Sequence, residues 1–543
     1  MRTHTAPGAT LAVALTAAFL ASTACSSQAD GTSTGAAADA RLVVVVAVDQ
    51  LRTDMIERFD PAFVGGFRRL IDDGFSFTEA FHDHGVTHTG AGHAALSTGV
   101  YPRRNGIVAN DWQEFRGGEW VNVYSVEDGD SPLVGVDTGA GRSPRNLERS
   151  GLADWVVASQ EDARVASFSR KDRSAITLAG QAQGDVYWAS SSRGVFVSST
   201  FYRSDLPGWV EDYNAVDMAA ITANTEWESL IPAAFVPLSR PDTSDYETAR
   251  VSYFPHRVED EYTEVTDARR NTWLMEKTPA ADVATFGLAA RAIRELELGQ
   301  RGEMDFLAVS FSATDGVGHA YGPFSREQLD NLMRLDRLLG DLMDLLDEEV
   351  GEGEWVLGLS SDHGILEIPE TISDPPTGRI TREDRREMQV AVAAAGVPGD
   401  DEEEYAERLA AALSEVPIVA RATPVHQLEA AAQTDTTSAF EANSFRPDRR
   451  VGSYAQRGVV VRYQDRVLAE SGTGTTHGSP YSYDRHVPLI FYGAGIPAGR
   501  STERARTVDF APTLATLLGI DFPEDLDGRP LFPFRPDALP QRP

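Results

Sequence analysis

Residues 41–55 read "RLVVVVAVDQLRTDM", a continuous run of mostly β-branched residues that ends in an acidic side chain, Asp49. A continuous apolar run is typical of a strand that is buried on both faces of a parallel sheet. Residues 304–322 and 354–364 repeat the pattern, and each places Asp and His at the end of an apolar run. Residues 486–496, "HVPLIFYGAGI", form a fourth apolar run, so we expect four such strands in one sheet.

The segment between the second and third runs, residues 326–350, has the spacing of an amphipathic helix. Its leucines recur every three or four residues, at Leu329, Leu332, Leu335, Leu339, Leu342 and Leu346. Strands that alternate with helices predict an α/β fold with a mostly parallel central sheet and helices on both faces. In such folds ligands bind beyond the carboxyl ends of the strands, where the Asp and His residues collect.

Two regions depart from this alternation within an expected catalytic domain of residues 41–535. Residues 113–285 are rich in Trp, Tyr, Gly and Ser, and residues 185–202, "DVYWASSSRGVFVSSTFY", alternate like exposed antiparallel strands. Residues 366–455 are charged, with a predicted helix in residues 400–416, "DDEEEYAERLAAALSEV". Both regions are predicted to be insertions that overhang the site.

The N-terminus has the pattern of an export signal over residues 1–25, because an apolar run too short for a comfortable membrane span follows Arg2. The run ends at Cys25, the only cysteine, and residues 26–40 have the composition of a flexible tether. "STAC" resembles a bacterial lipoprotein processing box. We therefore expect an exported protein, periplasmic or at the cell surface, with lipid on Cys25; the alternative is a simple secretory signal.

The net charge of −33 at pH 7 limits the partners of this chain. Such a surface repels nucleic acid and anionic lipid, so we expect no nucleic-acid partner and membrane contact only through Cys25. We expect a monomer that acts on small molecules. If the substrate is an anion, local positive charge must overcome this field.

Six side chains, mostly at the ends of the predicted strands, have the chemistry of metal ligands. They are three carboxylates and three imidazoles, namely Asp49, Asp315, His319, Asp362, His363 and His477. Each alone is weak evidence, since an isolated Asp–His pair is common in loops. Together they favour Zn²⁺, which accepts mixed nitrogen and oxygen ligands, and they suffice for two ions. Two metals about 4 Å apart hold the attacking and leaving oxygens of a displacement at phosphorus.

Thr89 lies where "TGAGHAALSTG" begins a predicted helix, and two interpretations of it are open. A threonine is often only a helix N-cap. A hydroxyl beside a metal is instead activated as a nucleophile, and free amides at a helix N-terminus favour an anionic phosphoryl group.

The residues before and within this helix include four more histidines. His82, His84 and His88 are alternative metal ligands, but they precede the helix, so we expect them to be surface residues or neighbours of the ligands. His93 falls in the first helical turn and is expected to pack rather than to bind a metal.

The order of these motifs resembles the alkaline phosphatase superfamily, most closely its phosphate-irrepressible, PafA-like bacterial branch, which shares its core with nucleotide pyrophosphatase/phosphodiesterases. The similarity covers residues 41–532. It implies that Asp49, Thr89, Asp362 and His363 hold one zinc and Asp315, His319 and His477 the other. It also implies three residues that contact the phosphoryl oxygens: Asn110 in "GIVAND", and Lys171 and Arg173 in "SRKDR".

This resemblance implies an alkaline phosphatase that works through a phospho-threonine intermediate at a two-zinc site. A charge argument supports monoesters as substrates: three aspartates and an ionised Thr89 neutralise two Zn²⁺, so that Lys171 and Arg173 leave two positive charges for a dianionic monoester. The alternative is a phosphodiesterase or nucleotide pyrophosphatase on the same core. A sulfatase is disfavoured because the nucleophile is not in a Cys/Ser-x-Pro-x-Arg context. A non-catalytic metal- or phosphate-binding lipoprotein is the remaining hypothesis.

Overall fold

The computed structural model describes residues 39–373, 377–399, 401–469 and 472–534. The predicted export signal, Cys25 and nearly all of the predicted tether lie outside these residues. Within the described part of the chain, no helix is long and apolar enough to cross a membrane.

A ten-stranded sheet forms the centre of the molecule. Its strands in chain order are β1 (Leu42–Val48), β2 (Phe75–Phe77), β3 (Leu133–Val134), β4 (Val165–Ser169), β5 (Asp185–Ser190), β6 (Val195–Ser199), β7 (Asp305–Phe311), β8 (Trp355–Ser360), β9 (Leu489–Gly493) and β10 (Gly499–Ser501). Across the sheet they follow the order β10-β2-β9-β8-β1-β7-β4-β5-β6-β3.

Strand β1 is the centre of the sheet because it pairs in parallel with β7 on one side and with β8 on the other. Its side chains alternate between two separate hydrophobic cores. Val44 and Val46 pack into the core on one face, and Val43 and Val45 pack into the core on the opposite face. The continuous apolar run is therefore a strand buried on both faces, as the sequence predicts.

Helices cover both faces of this sheet. The α-helices in chain order are Thr53–Phe59 (α1), Gly66–Asp73 (α2), Thr89–Thr98 (α3), Pro102–Asn105 (α4), Leu152–Ser159 (α5), Asp172–Leu178 (α6), Gly208–Tyr213 (α7), Ala219–Thr222 (α8), Val258–Glu261 (α9), Asp267–Lys277 (α10), Ala280–Glu295 (α11), Ala313–Tyr321 (α12), Arg326–Leu346 (α13), Arg382–Ala394 (α14), Glu402–Ser414 (α15), Leu428–Ala432 (α16), Thr436–Ala442 (α17), Ser482–Arg485 (α18) and Phe510–Leu518 (α19). The predicted leucine-rich helix is α13, and its six leucines are buried. The α/β fold class is confirmed.

The direction of β9 differs from the expectation. Five adjacent strands, β8, β1, β7, β4 and β5, are parallel. Strand β9, the fourth apolar run, instead pairs antiparallel with β8, and Ile490 lies opposite Leu359. The expectation of a fourth parallel strand is wrong because an apolar run buried on both faces has the same pattern in either direction.

The assignment of residues 113–285 to an insertion needs correction. Strands β3 to β6 lie in this region and belong to the central sheet. Strands β5 and β6 are antiparallel, as the alternation predicts, but they are not exposed. Tyr187 and Phe196 enter one core while Trp188 and Val197 enter the other. The serines in this segment interrupt the apolar pattern, so the sequence did not indicate that both strands are buried on both faces.

Residues 366–455 form most of a small lobe beside the sheet. Helices α14 and α15 pack on a two-stranded antiparallel sheet formed by Val419–Pro424 and Val459–Tyr463. Tyr405, Leu409 and Leu413 of α15 are buried in a core of their own. Helix α15 lies within residues 400–416, where the sequence predicts a helix.

Candidate active site

The carboxyl ends of three adjacent parallel strands meet at one edge of the sheet. Asp49 follows β1, Asp315 lies in the first turn of α12 just after β7, and Asp362 with His363 follows β8. Because β1 pairs with both β7 and β8, the fold brings Asp49 together with side chains that follow it much later in the chain. His477 enters from the loop that precedes α18 rather than from a strand.

The first group of possible metal ligands consists of Asp49, Asp362 and His363, all fully buried. The His363 Nε2 lies 3.6 Å from an oxygen of Asp49 and 3.5 Å from an oxygen of Asp362. Two ligands of a tetrahedral zinc ion are separated by roughly 3.3 Å, so this spacing fits a shared ion. The His363 Nε2 is buried without a hydrogen-bond partner among the described residues, which also fits a ligand that points at a cation. The Asp362 Oδ2 lies 3.2 Å from the His93 Nδ1.

The second group consists of Asp315, His319 and His477. Asp315 and His319 are four residues apart on α12 and so lie on one face of that helix. An oxygen of Asp315 is 3.2 Å from the His319 Nε2 and 3.7 Å from the His477 Nε2. The six residues therefore form the two groups that the resemblance implies, while their binding of zinc stays a prediction.

All three imidazoles of these groups are oriented in the same way. The Nδ1 of His363 contacts the carbonyl of Gly364 at 3.0 Å, that of His319 the carbonyl of Thr475 at 2.9 Å, and that of His477 the carbonyl of Thr87 at 2.6 Å. A carbonyl only accepts, so each Nδ1 carries the proton and each Nε2 keeps its lone pair. That tautomer is the one required for metal binding through Nε2.

Three ionised carboxylates lie close together in this buried site, which is electrostatically unfavourable without nearby positive charge. Burial and the charge of Asp362 raise the pKa of Asp49 well above its usual range, against the attraction of Lys171. Burial acts in the same direction on Asp315, but Lys171 and His319 outweigh it and hold the pKa of Asp315 well below its usual range. Positive charge among these groups is therefore needed to keep all three ionised.

Thr89 is the first residue of α3, and its side chain does not cap the helix, because His88 is the N-cap residue and makes no side-chain cap either. The Thr89 hydroxyl instead accepts from the ammonium of Lys171 at 3.3 Å and the guanidinium of Arg173 at 3.4 Å. The same ammonium lies 2.5 Å from Asp49 and 2.7 Å from Asp315. A single cation thus links the hydroxyl to both candidate metal groups.

Asn110 lies beside the start of α3, where its Oδ1 accepts from the amide of Gly90 at 2.8 Å. This contact fixes the orientation of the side-chain amide. Arg173 is supported by Tyr124, whose hydroxyl accepts from the guanidinium at 3.2 Å and donates to Asp172 at 2.5 Å. Burial and the charge of Asp172 raise the pKa of Tyr124 to about 12, so the hydroxyl stays protonated.

The structure also brings in Gln50, which sequence reasoning missed. Its backbone is in the left-handed region at φ 69°, an uncommon conformation for a residue other than glycine. Its amide donates to Asp362 at 3.0 Å, and its side-chain Nε2 donates to Asp315 at 2.7 Å. Gln50 therefore connects the two groups of possible ligands. Its position next to Asp49 was the only signal available in the sequence.

The other histidines of this segment do not join either group. His82 and His84 are fully buried, which excludes the surface position and leaves the other expected position, beside the possible ligands. His82 contacts the carbonyl of Ser361, next to Asp362, and burial lowers its pKa to about 3. His93 is buried and packs, as expected, with Nε2 2.9 Å from Ser310 Oγ.

Gly92 permits the close approach of α3 to Asp362. An added Cβ would lie 2.1 Å from the Asp362 carbonyl oxygen and 2.7 Å from its Cα. The glycine-rich start of the helix is therefore a packing requirement of the site. It brings Thr89 close to the first group of possible ligands.

Comparisons with known proteins give a consistent result. Residues 43–478 match the model of the type I phosphodiesterase/nucleotide pyrophosphatase family. The chain is 31% identical to a calcium-transporting ATPase of Myroides odoratus, over 90% of this chain and 94% of that protein. It is 30% identical to alkaline phosphatase PhoV of Synechococcus elongatus, over 90% of this chain and 92% of that protein. The crystal structure of wild-type alkaline phosphatase PafA is similar, with a TM-score of 0.81 and 28% identity over 91% of this chain and 98% of that one.

Replacement of Gly92 by alanine is expected to weaken metal binding by about 10- to 100-fold, because the added methyl group must displace α3 or the backbone of Asp362. Competition against a chelator of known affinity measures the change. The matched control is Gly208→Ala, since nothing lies within 4 Å of a Cβ added there. Equal zinc affinity in Gly92→Ala, Gly208→Ala and the parent protein would show that Asp362 is not a ligand or tolerates the shift.

Proposed function

The chain belongs to the type I phosphodiesterase/nucleotide pyrophosphatase family and is a hydrolase of the alkaline phosphatase and phosphodiesterase group, within which we propose that it hydrolyses phosphate monoesters through a covalent intermediate on Thr89. The expected superfamily, fold and enzyme class are confirmed by these relatives. The substrate, the intermediate and the identity and number of the metals are proposals. The main observation behind the proposed substrate and intermediate is that the Thr89 hydroxyl lies within 3.4 Å of both Lys171 and Arg173.

Two zinc ions are the proposed cofactor, because each group of ligands combines carboxylate oxygen with imidazole nitrogen and offers three protein donors. Such ions supply activation of a hydroxyl at neutral pH and compensation of charge on the transferred phosphoryl group. Among the three buried carboxylates, Asp49 needs that positive charge most, because burial and the charge of Asp362 raise its pKa.

The residues of the chain have distinct roles in the proposed reaction. The Thr89 oxygen attacks phosphorus, its proton is lost, and the ester oxygen leaves as an alcohol after it gains a proton. Lys171 and Arg173 donate to the phosphoryl oxygens as charge develops, and the Nδ2 of Asn110 binds a third oxygen. Water then attacks the phospho-threonine in a second in-line displacement, which releases phosphate and restores the hydroxyl.

The alternative activity is diester hydrolysis, which the matched family model also favours. The two substrates differ by one unit of charge at phosphorus. In the proposed complex, Lys171 and Arg173 are two cations that face the non-bridging oxygens. Two positive charges complement a dianionic monoester more than a monoanionic diester. That pair is the argument for the monoester.

Export and lipid attachment at Cys25 belong to the same proposal. They rest on the apolar run that ends in "STAC" and on the tether-like composition after it. Mass analysis of the mature N-terminus tests them: a chain that begins at Cys25 with an acylated residue is expected, whereas a chain that begins after Cys25 excludes the lipid.

Elemental analysis is expected to find two zinc ions per chain in active enzyme. Replacement of His477 by alanine removes one of three donors of the second group, so the zinc content should fall toward one and most activity should be lost. The control is His426→Ala, since His426 lies on the small lobe, where its Nε2 is 3.4 Å from Glu407. Active enzyme with less than one metal per chain would contradict the proposed site.

Replacement of Thr89 by alanine is expected to reduce hydrolysis by several orders of magnitude while zinc binding persists, because only the nucleophile is lost. Thr89→Ser should retain part of the activity. Acid-quenched parent enzyme should carry phosphate on the peptide that contains Thr89. Turnover by Thr89→Ala at nearly the parent rate would mean that water attacks directly.

Replacement of Arg173 by alanine, alone and with Lys171→Ala, tests the charge argument. The loss in kcat/KM for nitrophenyl phosphate should be about 10²–10³-fold per residue, whereas the loss for its methyl diester should be much smaller. Arg173→Ala is the cleaner variant, since Lys171 also contacts Asp49 and Asp315. Equal losses on both substrates would mean that the pair supports the nucleophile rather than selecting charge.

A further inference from the structure

A second cationic pocket adjoins the proposed phosphoryl site. It has a volume of about 240 Å³, and its lining includes Lys171 and Arg173, the two cations that contact Thr89. The lining contains two further arginines, Arg142 and Arg170, against a single carboxylate, Asp172. In a chain with a net charge of −33, this pocket is a local concentration of positive charge.

Arg170 differs from the other cations of this pocket because its guanidinium has no partner. Arg142 forms an ion pair with Asp172 at 2.5 Å and lies over the ring of Tyr124. Lys171 contacts Asp49 and Asp315. Arg170 makes no side-chain hydrogen bond or ion pair with any described residue, and its Nε is buried.

The charge of Arg170 lowers the pKa of Asp282, but the two side chains form no ion pair or hydrogen bond. Its Oδ1 accepts from the amides of Ser312 at 2.7 Å and Ala313 at 2.9 Å. Burial raises the pKa of Asp282 to about 6, even though these bonds and Arg170 act in the opposite direction. Arg170 is therefore available to a ligand.

The backbone around Arg170 fixes its place beside the site. The residue follows β4 directly, and its carbonyl accepts from Ala189, which extends the pairing with β5 beyond the strand end. Lys171 is directed to Thr89 and the carboxylates, and the preceding Arg170 lines the adjoining pocket.

The remaining walls of the pocket are apolar or neutral. Leu133, Trp188 and Val197 line it together with Ser190 and Ser191. Apolar surface beside an unpaired guanidinium suits an organic group that ends in an anion, because the carbon chain packs on the wall while the anion meets the charge.

We propose that this pocket binds a second anionic group of the substrate, with Arg170 as its specificity-determining contact, so that the preferred monoesters carry a carboxylate or a further phosphate on the leaving group. The proposal rests on the proposed function, since it places the phosphoryl group at Thr89. A substrate of this class spans the two cationic sites and leaves no guanidinium unpaired.

Binding of non-hydrolysable ligands to the zinc-loaded enzyme tests the pocket by calorimetry. The probes are phosphonoalkanoates with two, three or four methylene groups between phosphonate and carboxylate, each paired with its neutral carboxamide. Bisphosphonates of the same lengths form a second series. For at least one length, the parent enzyme should bind the anion about tenfold or more tightly than the amide, as expected for one charged hydrogen-bonded contact. The two series show whether a carboxylate or a phosphate terminus is preferred.

Arg170→Gln should reduce this ratio to within about twofold of unity, because the uncharged side chain keeps its length but loses the charge-assisted contact. Arg193→Gln is the matched control: this exposed arginine lies in the turn between β5 and β6 outside the pocket, and its ratio should equal that of the parent. Zinc content and the unfolding midpoint of both variants are measured in parallel.

The proposal is overturned if the parent enzyme binds anion and amide equally at every length, or if both variants lower the ratio to the same extent. It is also overturned if Arg170→Gln loses zinc or stability while its ratio is retained, which would make Arg170 a structural residue. Hydrolysis of nitrophenyl phosphate by the same preparations tests the proposed function separately. An enzyme without monoesterase activity would refute that function, while the binding ratio would still decide the pocket.

Discussion

The burial of three carboxylates at one edge of the sheet is the constraint on which the rest of the site depends. Asp49, Asp315 and Asp362 are each at most 6% exposed, and they follow three adjacent strands. An unpaired carboxylate loses several kcal/mol of solvation when it is buried, and the mutual repulsion of the three adds to this cost. Lys171 contacts two of them, Asp49 and Asp315. Divalent cations would compensate the remaining charge, which is why the same geometry predicts a metal centre.

Much of the surrounding structure serves to hold these groups in place. Three backbone carbonyls fix the imidazole tautomers, and Gln50 connects the two halves of the site from a left-handed backbone conformation that costs about 1 kcal/mol or more. Gly92 lets α3 reach the backbone of Asp362. Side chains held by several independent elements keep their spacing, so the two groups of possible ligands keep a fixed position relative to Thr89.

The distribution of charge has a consequence for substrate choice. The surface as a whole repels anions, whereas the wall beside Thr89 carries Lys171 and Arg173, with Arg142 and Arg170 next to them. We therefore expect anionic substrates to be attracted near these four cations. A substrate with more negative charges can contact more of them. The proposed monoester preference and the proposed binding of a second anion would both follow from this one cationic surface.

The sequence alone determined the features that depend on local pattern. The apolar runs with Asp or His at their ends predicted β1, β7 and β8, because burial on both faces of a strand leaves a continuous apolar run. The leucine spacing predicted α13, because burial of one helical face leaves a periodic pattern. Tertiary structure alone decided the direction of β9 and the membership of β4 to β6 in the sheet, since an apolar run does not specify its partner. It also decided the positions of Gln50 and Tyr124, whose significance comes from contacts with residues far away in the chain. Side-chain chemistry can be recognised one residue at a time, whereas a site exists only where long-range strand pairing brings those residues together.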